Sequence, residues 1–158
     1  MSIDIQNKIL VKSFNKQKFN FKEIFSSYLL NSKAEKLSQI HKTLNSKYLP
    51  KEIVKEAQDQ NLLFYELLYG IDPGYNMLSP SEEGIFLKTY KDFIAFISNE
   101  IFHEKLIYQA KPTLRVHFPG NKAVGAWHRD RDYNHPIEEI NFWVPITTAH
   151  NTNTIWIE

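Results

Sequence analysis

The sequence predicts an α+β fold: N-terminal helices packed on an antiparallel sheet. Three observations carry it. Apolar residues recur at helical spacing up to Ile101, they alternate with polar residues after Pro112, and the two patterns follow one another without interleaving. Interleaved helices and strands would argue for a parallel sheet, whereas helices followed by successive strands argue for α+β. The 158 residues suffice for a single domain with its own core. Within it a helical part spans residues 1–110 and a strand part residues 111–158.

Taken in order, Ile3, Ile5, Ile9 and Val11 stand at odd positions among polar residues and predict a short strand or extended arm. From Asn20 the period changes. Phe21, Ile24, Phe25, Tyr28 and Leu29 fall at i, i+3, i+4, i+7 and i+8, an apolar stripe on a helix. Leu37, Ile40, His41 and Leu44 continue it after a break around Asn31 and Ser32, and His41 there reads as a packing residue. Pro50 opens another helical segment. Leu62, Leu63, Phe64, Leu67 and Leu68 then cluster ahead of Gly70 and the Asp72-Pro73-Gly74 turn. Ser79 as N-cap, Pro80 at the first helical position and Glu82 at the third predict a helix start. Its buried face is Phe86, Tyr90, Phe93, Ile94, Ile97 and Ile101, and its wet face Lys88, Lys91, Asp92 and Glu100. Such a face must be covered, and a sheet is the expected cover.

Beyond Pro112, Leu114, Val116 and Phe118 alternate with Arg115 and His117 and predict the first of these strands. Pro119-Gly120-Asn121 is a turn, Trp127 to Tyr133 the next extended run, and His135-Pro136 a connection. Ile140 to Ile146 reads as a third strand, with Asn141 and Trp143 on one face and Phe142 and Val144 on the other. His150 to Asn153 is a turn before a fourth strand from Thr154 to Ile157. Strands so few neither close a barrel nor pair off a sandwich. The expectation is therefore that the chain is the front part of a longer protein.

Composition narrows the classes of function. Nineteen Lys and Arg face eighteen Asp and Glu, so no charge excess draws the chain to nucleic acid or an anionic membrane. The absence of cysteine excludes disulfides, thiolate metal sites and a cysteine nucleophile, and it agrees with a reducing compartment. With no signal sequence and no long uncharged apolar window, the expected location is the cytoplasm.

The chemistry gathers at Trp127-His128-Arg129-Asp130-Arg131-Asp132-Tyr133. On a strand, His128 and Asp130 share a face, and an imidazole beside a carboxylate makes two thirds of a 2-His-1-carboxylate iron site. A bare His-x-Asp is a common triplet, so its weight comes from its setting. On the same alternation Asp132 joins the face of His128 and Asp130, while Arg129 and Arg131 take the other side, as solvated charges first and as a site for an anionic substrate second. Asn141 lies between apolar neighbours, and a buried amide needs a partner, for which a bound carboxylate would serve.

Four linked segments carry a resemblance. They are Arg115 to Asn121, Trp127 to Tyr133, Glu139 to Thr147 and Asn151 to Glu158. Together they resemble the Fe(II)/2-oxoglutarate-dependent oxygenases, in particular the phytanoyl-CoA-hydroxylase-like branch with members tied to streptomycin-type antibiotic biosynthesis. The resemblance implies a double-stranded β-helix (jelly roll), incomplete here, with helices packed on one sheet. It implies His128 and Asp130 as metal ligands and catalytic residues, and Asn141, Trp143 and Arg115 as contacts for 2-oxoglutarate. The implied cofactors are Fe(II) and 2-oxoglutarate, and the implied reaction is hydroxylation of a small-molecule substrate. The family's second metal histidine and its clamping arginine would lie past Glu158, so the chain alone is expected to be inactive without that missing C-terminal half. His150 and His117 are weaker ligand candidates, and His103 and His135 read as surface-loop residues. The competing expectation is a non-catalytic module that binds a ligand or a protein, in which His128-x-Asp130 is an accident.

Overall fold

The computed structural model describes residues 9–30, 36–42, 84–110, 112, 114, 129–155 and 157. Helix α1 runs Phe21–Leu29 and helix α2 runs Ile85–Phe96, continuing as a π-helical turn over Ile97–Phe102. Short 3-10 turns occupy Leu37–Lys42, Asp130–Tyr133 and Asn151–Asn153.

Local hydrogen bonds set the start of α1. Asn15 Oδ1 accepts from the backbone N–H of Gln17 and Lys18 at 2.9 and 3.0 Å, which closes a turn and delivers Phe19 to the core. Asn20 then caps the helix, its Oδ1 accepting from Glu23 N at 3.3 Å, and Glu23 complements the positive end of the helix. A cap of this kind contributes about 1 kcal/mol. The predicted stripe is the face that packs: Phe21, Ile24, Phe25 and Leu29 are all buried.

Helix α2 opens at Gly84, whose carbonyl accepts from Lys88 N at 3.1 Å. The predicted Ser79-Pro80-Glu82 start lies outside the described residues, as do the segments around Pro50, Leu62–Leu68 and the Asp72-Pro73-Gly74 turn. Phe86, Phe93 and Ile97 are buried as expected, joined by Leu87, while Lys88, Lys91, Asp92 and Glu100 are exposed. Ile97 and Phe102, five residues apart, would stand roughly 140° apart on an ideal α-helix. The i→i+5 pairing of the π-turn turns Phe102 back toward the core, and both are buried. The turn closes at His103, in the left-handed region at φ 58°, where Glu104 N donates to Ser98 O at 3.2 Å.

The core is aromatic, with Phe93 at its hub. Phe14, Phe19 and Phe21 each meet it edge to face, at centroid distances of 5.1, 5.2 and 5.4 Å. Phe25 and Phe86 close the α1–α2 contact at 5.3 Å. Edge-to-face rings place positive edges on negative faces, adding about 0.5–1.5 kcal/mol per pair beyond the burial of area. Leu37 and Ile40 of the 3-10 turn complete the cluster.

The sheet expected from the sequence is not there: the described residues contain no β-strand, and neither an antiparallel sheet nor a jelly roll is present among them. Helix α2 packs on α1 instead of across a sheet. The reason lies in where the C-terminal segment places its hydrogen bonds. A strand exists only through a neighbour's ladder, whereas here the bonds close short turns. Asp132 N donates to Arg129 O at 2.8 Å, His135 N to Asp130 O at 3.4 Å and Glu139 N to Pro136 O at 3.1 Å. Asn134 and Asn151 adopt positive φ, 65° and 49°, which breaks an extended run. Pro136 and Pro145 have no N–H to give a ladder. Residues 9–11, predicted extended, belong to no element and are exposed; the rest of that arm, and the predicted strand around Val116, lie outside the described residues.

One part of the strand reading survives without the strand. Val144 and Ile146 are partly buried against the helical core, while Trp143, Pro145 and Thr147 are exposed. Phe142 meets Phe102 edge to face at 6.0 Å. Val144 and Ile146 thus dock on the helices, while Phe142 touches Phe102 and stays 48% exposed.

Candidate functional site

Asp130 opens the 3-10 turn Asp130–Tyr133. It does not sit in an extended run, so the strand geometry expected to align it with a neighbour two residues away does not apply to it. The turn is held by Asp132, whose Oδ2 accepts from Arg129 N at 3.2 Å and from Arg129 Nε at 3.4 Å. A carboxylate reaching back three residues to the first N–H of a turn is the arrangement found at helix starts. It also places Arg129 and Asp132 on the same side, against the alternation expected from the sequence. Asp132 is thereby engaged with Arg129, an exposed pair worth little in itself.

Asp130 is partly buried, and its Oδ2 accepts a hydrogen bond from Asn141 Nδ2. These two residues, 11 apart in sequence, were both expected at the site, and the structure brings them together. Trp143, also expected there, is 46% exposed. His128 and Arg115 lie outside the described residues. Among those described, no group of three or more metal-binding side chains comes together. The donor set visible here is one oriented carboxylate, which suits a hard divalent ion.

A second pair borders the turn. His135 Nδ1 lies 2.8 Å from Glu139 Oε2, both side chains part-exposed. The sequence predicts a surface-loop residue at His135, and its i,i+4 spacing from Glu139 is the signal for the pair. His150, weighed as a ligand, is exposed immediately before the 3-10 turn Asn151–Asn153, the turn expected there. His103 is exposed at the end of the π-turn. A shallow cleft of about 300 Å³ lined by Lys18, Asp92, Phe96 and Glu100 lies elsewhere, on the outer side of α2, and contains none of the expected site residues. Among the described residues no helix is long and apolar enough to cross a membrane.

Over 50 residues the chain is 54% identical to the streptomycin biosynthesis protein StrG of Streptomyces griseus, a match covering 32% of this chain and 25% of that protein. The match thus spans about a quarter of the relative's length. No known family profile matches the chain, and no solved structure does.

Proposed function

We propose that this chain is the N-terminal portion of a non-haem Fe(II)/2-oxoglutarate-dependent oxygenase that hydroxylates a small molecule in a biosynthetic setting. The observation that carries the reading is the convergence of Asp130 and Asn141, two of the residues expected at such a site. The shared stretch with a streptomycin biosynthesis protein supports the setting.

In this reading His128 and Asp130 would hold the iron, and Trp143 and Arg115 would contact the keto acid. Iron with bound 2-oxoglutarate supplies the activation of oxygen. The chain's own part is to orient the Asp130 carboxylate and to keep Asp132 out of competition through its bond to Arg129. A histidine and a carboxylate alone make a weak divalent site, because two protein donors fall short of the usual ligation. The 158 residues by themselves should therefore turn over little or nothing.

The test is Fe(II)-dependent conversion of 2-oxoglutarate to succinate by the polypeptide expressed from its natural reading frame. Turnover that is abolished by His128→Ala supports the oxygenase. Turnover unchanged in that variant would remove His128 from the metal site, and its absence from the natural polypeptide would favour the non-catalytic binding module.

A further inference from the structure

We infer that Asn141 is a positioning residue for Asp130 and not a contact for the keto acid; this rests on the metal-ligand role of Asp130 proposed above. A carboxylate on a surface turn samples several rotamers, and a ligand that must meet an ion in one geometry loses affinity for each alternative. Asn141 Nδ2 donates to Asp130 Oδ2 and removes that freedom.

What aims Asn141 is the packing behind it. The π-turn buries Phe102, Phe102 and Phe142 meet edge to face, and Val144 and Ile146 settle against the same core. With Val144 and Ile146 docked and Phe142 against Phe102, Asn141 is held toward the Asp130 turn. Asn141 is exposed and not buried as expected, and one of its two amide N–H groups is engaged by the carboxylate, so its partner comes from within the chain. The assignment differs from that implied by family resemblance, where Asn141 would touch 2-oxoglutarate directly.

The experiment has two readouts, the first on the 158-residue chain and the second on the polypeptide expressed from its natural reading frame, where the metal site is not limited to two protein donors. The first is free of metal. In a 15N-labelled sample, the Asn141 side-chain amide resonance is expected to shift downfield through its bond to a carboxylate, and to lose that shift in Asp130→Ala. An amide resonance that Asp130→Ala leaves in place overturns the inference whatever the metal does. The second is Mn(II) binding followed by electron paramagnetic resonance. Asn141→Leu, which removes the donor, is expected to weaken Mn(II) by roughly tenfold, as loss of an orienting partner does at other metal sites, and Asn141→Gln to recover part of it. Mn(II) affinity unchanged in Asn141→Leu while 2-oxoglutarate binding to the Mn(II) form weakens would return Asn141 to the keto acid. Should Asn141→Leu fail to fold, Asn141→Gln and the resonance shift decide alone. Mn(II) binding that is the same in wild type and Asp130→Ala defeats the oxygenase reading of the site itself, and the inference falls with it.

Discussion

At the scale of single residues, the side chains that set local structure are short polar ones whose effect depends on a neighbour. Asn15 and Asn20 cap in ways that their spacing from Lys18 and Glu23 makes legible. Asp132 does not announce itself, because a Asp-Arg-Asp run fits alternating charges on a strand as readily as a turn closed from position 132 back to position 129. Tyr90 gives a residue-scale prediction. Burial raises its phenol to about 12, with Tyr108 adding to the effect, and its hydroxyl donates to Gln109 O at 2.6 Å. The folded state therefore favours the neutral phenol. That contribution is fully present below about pH 10, where the unfolded chain also keeps its proton, and is lost as pH rises from about 10 to 12. Urea unfolding midpoints followed across that range should fall more steeply for wild type than for Tyr90→Phe. Parallel profiles would show that Tyr90 titrates alike in both states.

At the scale of elements, the helical stripes were readable because burial on a helix follows a fixed angular period. Phe21, Ile24, Phe25, Phe86, Phe93 and Ile97 all lie where that period puts them. Phe102 is outside it, and its burial comes from the π-turn, which no periodicity predicts because it is a local departure from the period. Deleting the exposed Asn99 tests this. With one residue fewer, Phe102 stands four places after Ile97, about 40° away on an ordinary α-helix, so α-helical pairing returns with Phe102 still facing the core. Stability should stay within about 1 kcal/mol of wild type and the Phe142 contact should persist, whereas Phe102→Ala should cost about 3–5 kcal/mol. Denaturant unfolding gives the stabilities and side-chain NMR of Phe142 the contact. A deletion variant that lost as much as Phe102→Ala would mean that the widened turn does more than bring Phe102 round to the core.

At the scale of the whole molecule, alternation was mistaken for a sheet. Alternating burial requires only that one side of a segment meet a surface, and the α1–α2 core provides that surface for Val144 and Ile146. A sheet requires in addition that backbone N–H and C=O groups meet a second strand in register. Nothing in a single sequence reports that pairing, while the turn-forming Asn134, Pro136 and Asn151 argue against it in retrospect. The same distinction applies to the site: the identity of Asp130 and Asn141 was legible, but not that one bonds the other, because contact across 11 residues depends on how the loop between them folds. Amide hydrogen exchange separates docking from pairing. Exchange tracks the free energy needed to open a hydrogen bond, which is greatest in the packed core and least where the backbone faces water. Amides of Phe93 to Phe96, inside α2, should therefore be the slowest among the described residues, and those of Asn141 and Trp143 should exchange orders of magnitude faster despite the packed Val144 and Ile146 beside them. Protection at Asn141 and Trp143 equal to that of α2 would require a ladder partner for this segment, and its docking on the helices would then be only half of what holds it.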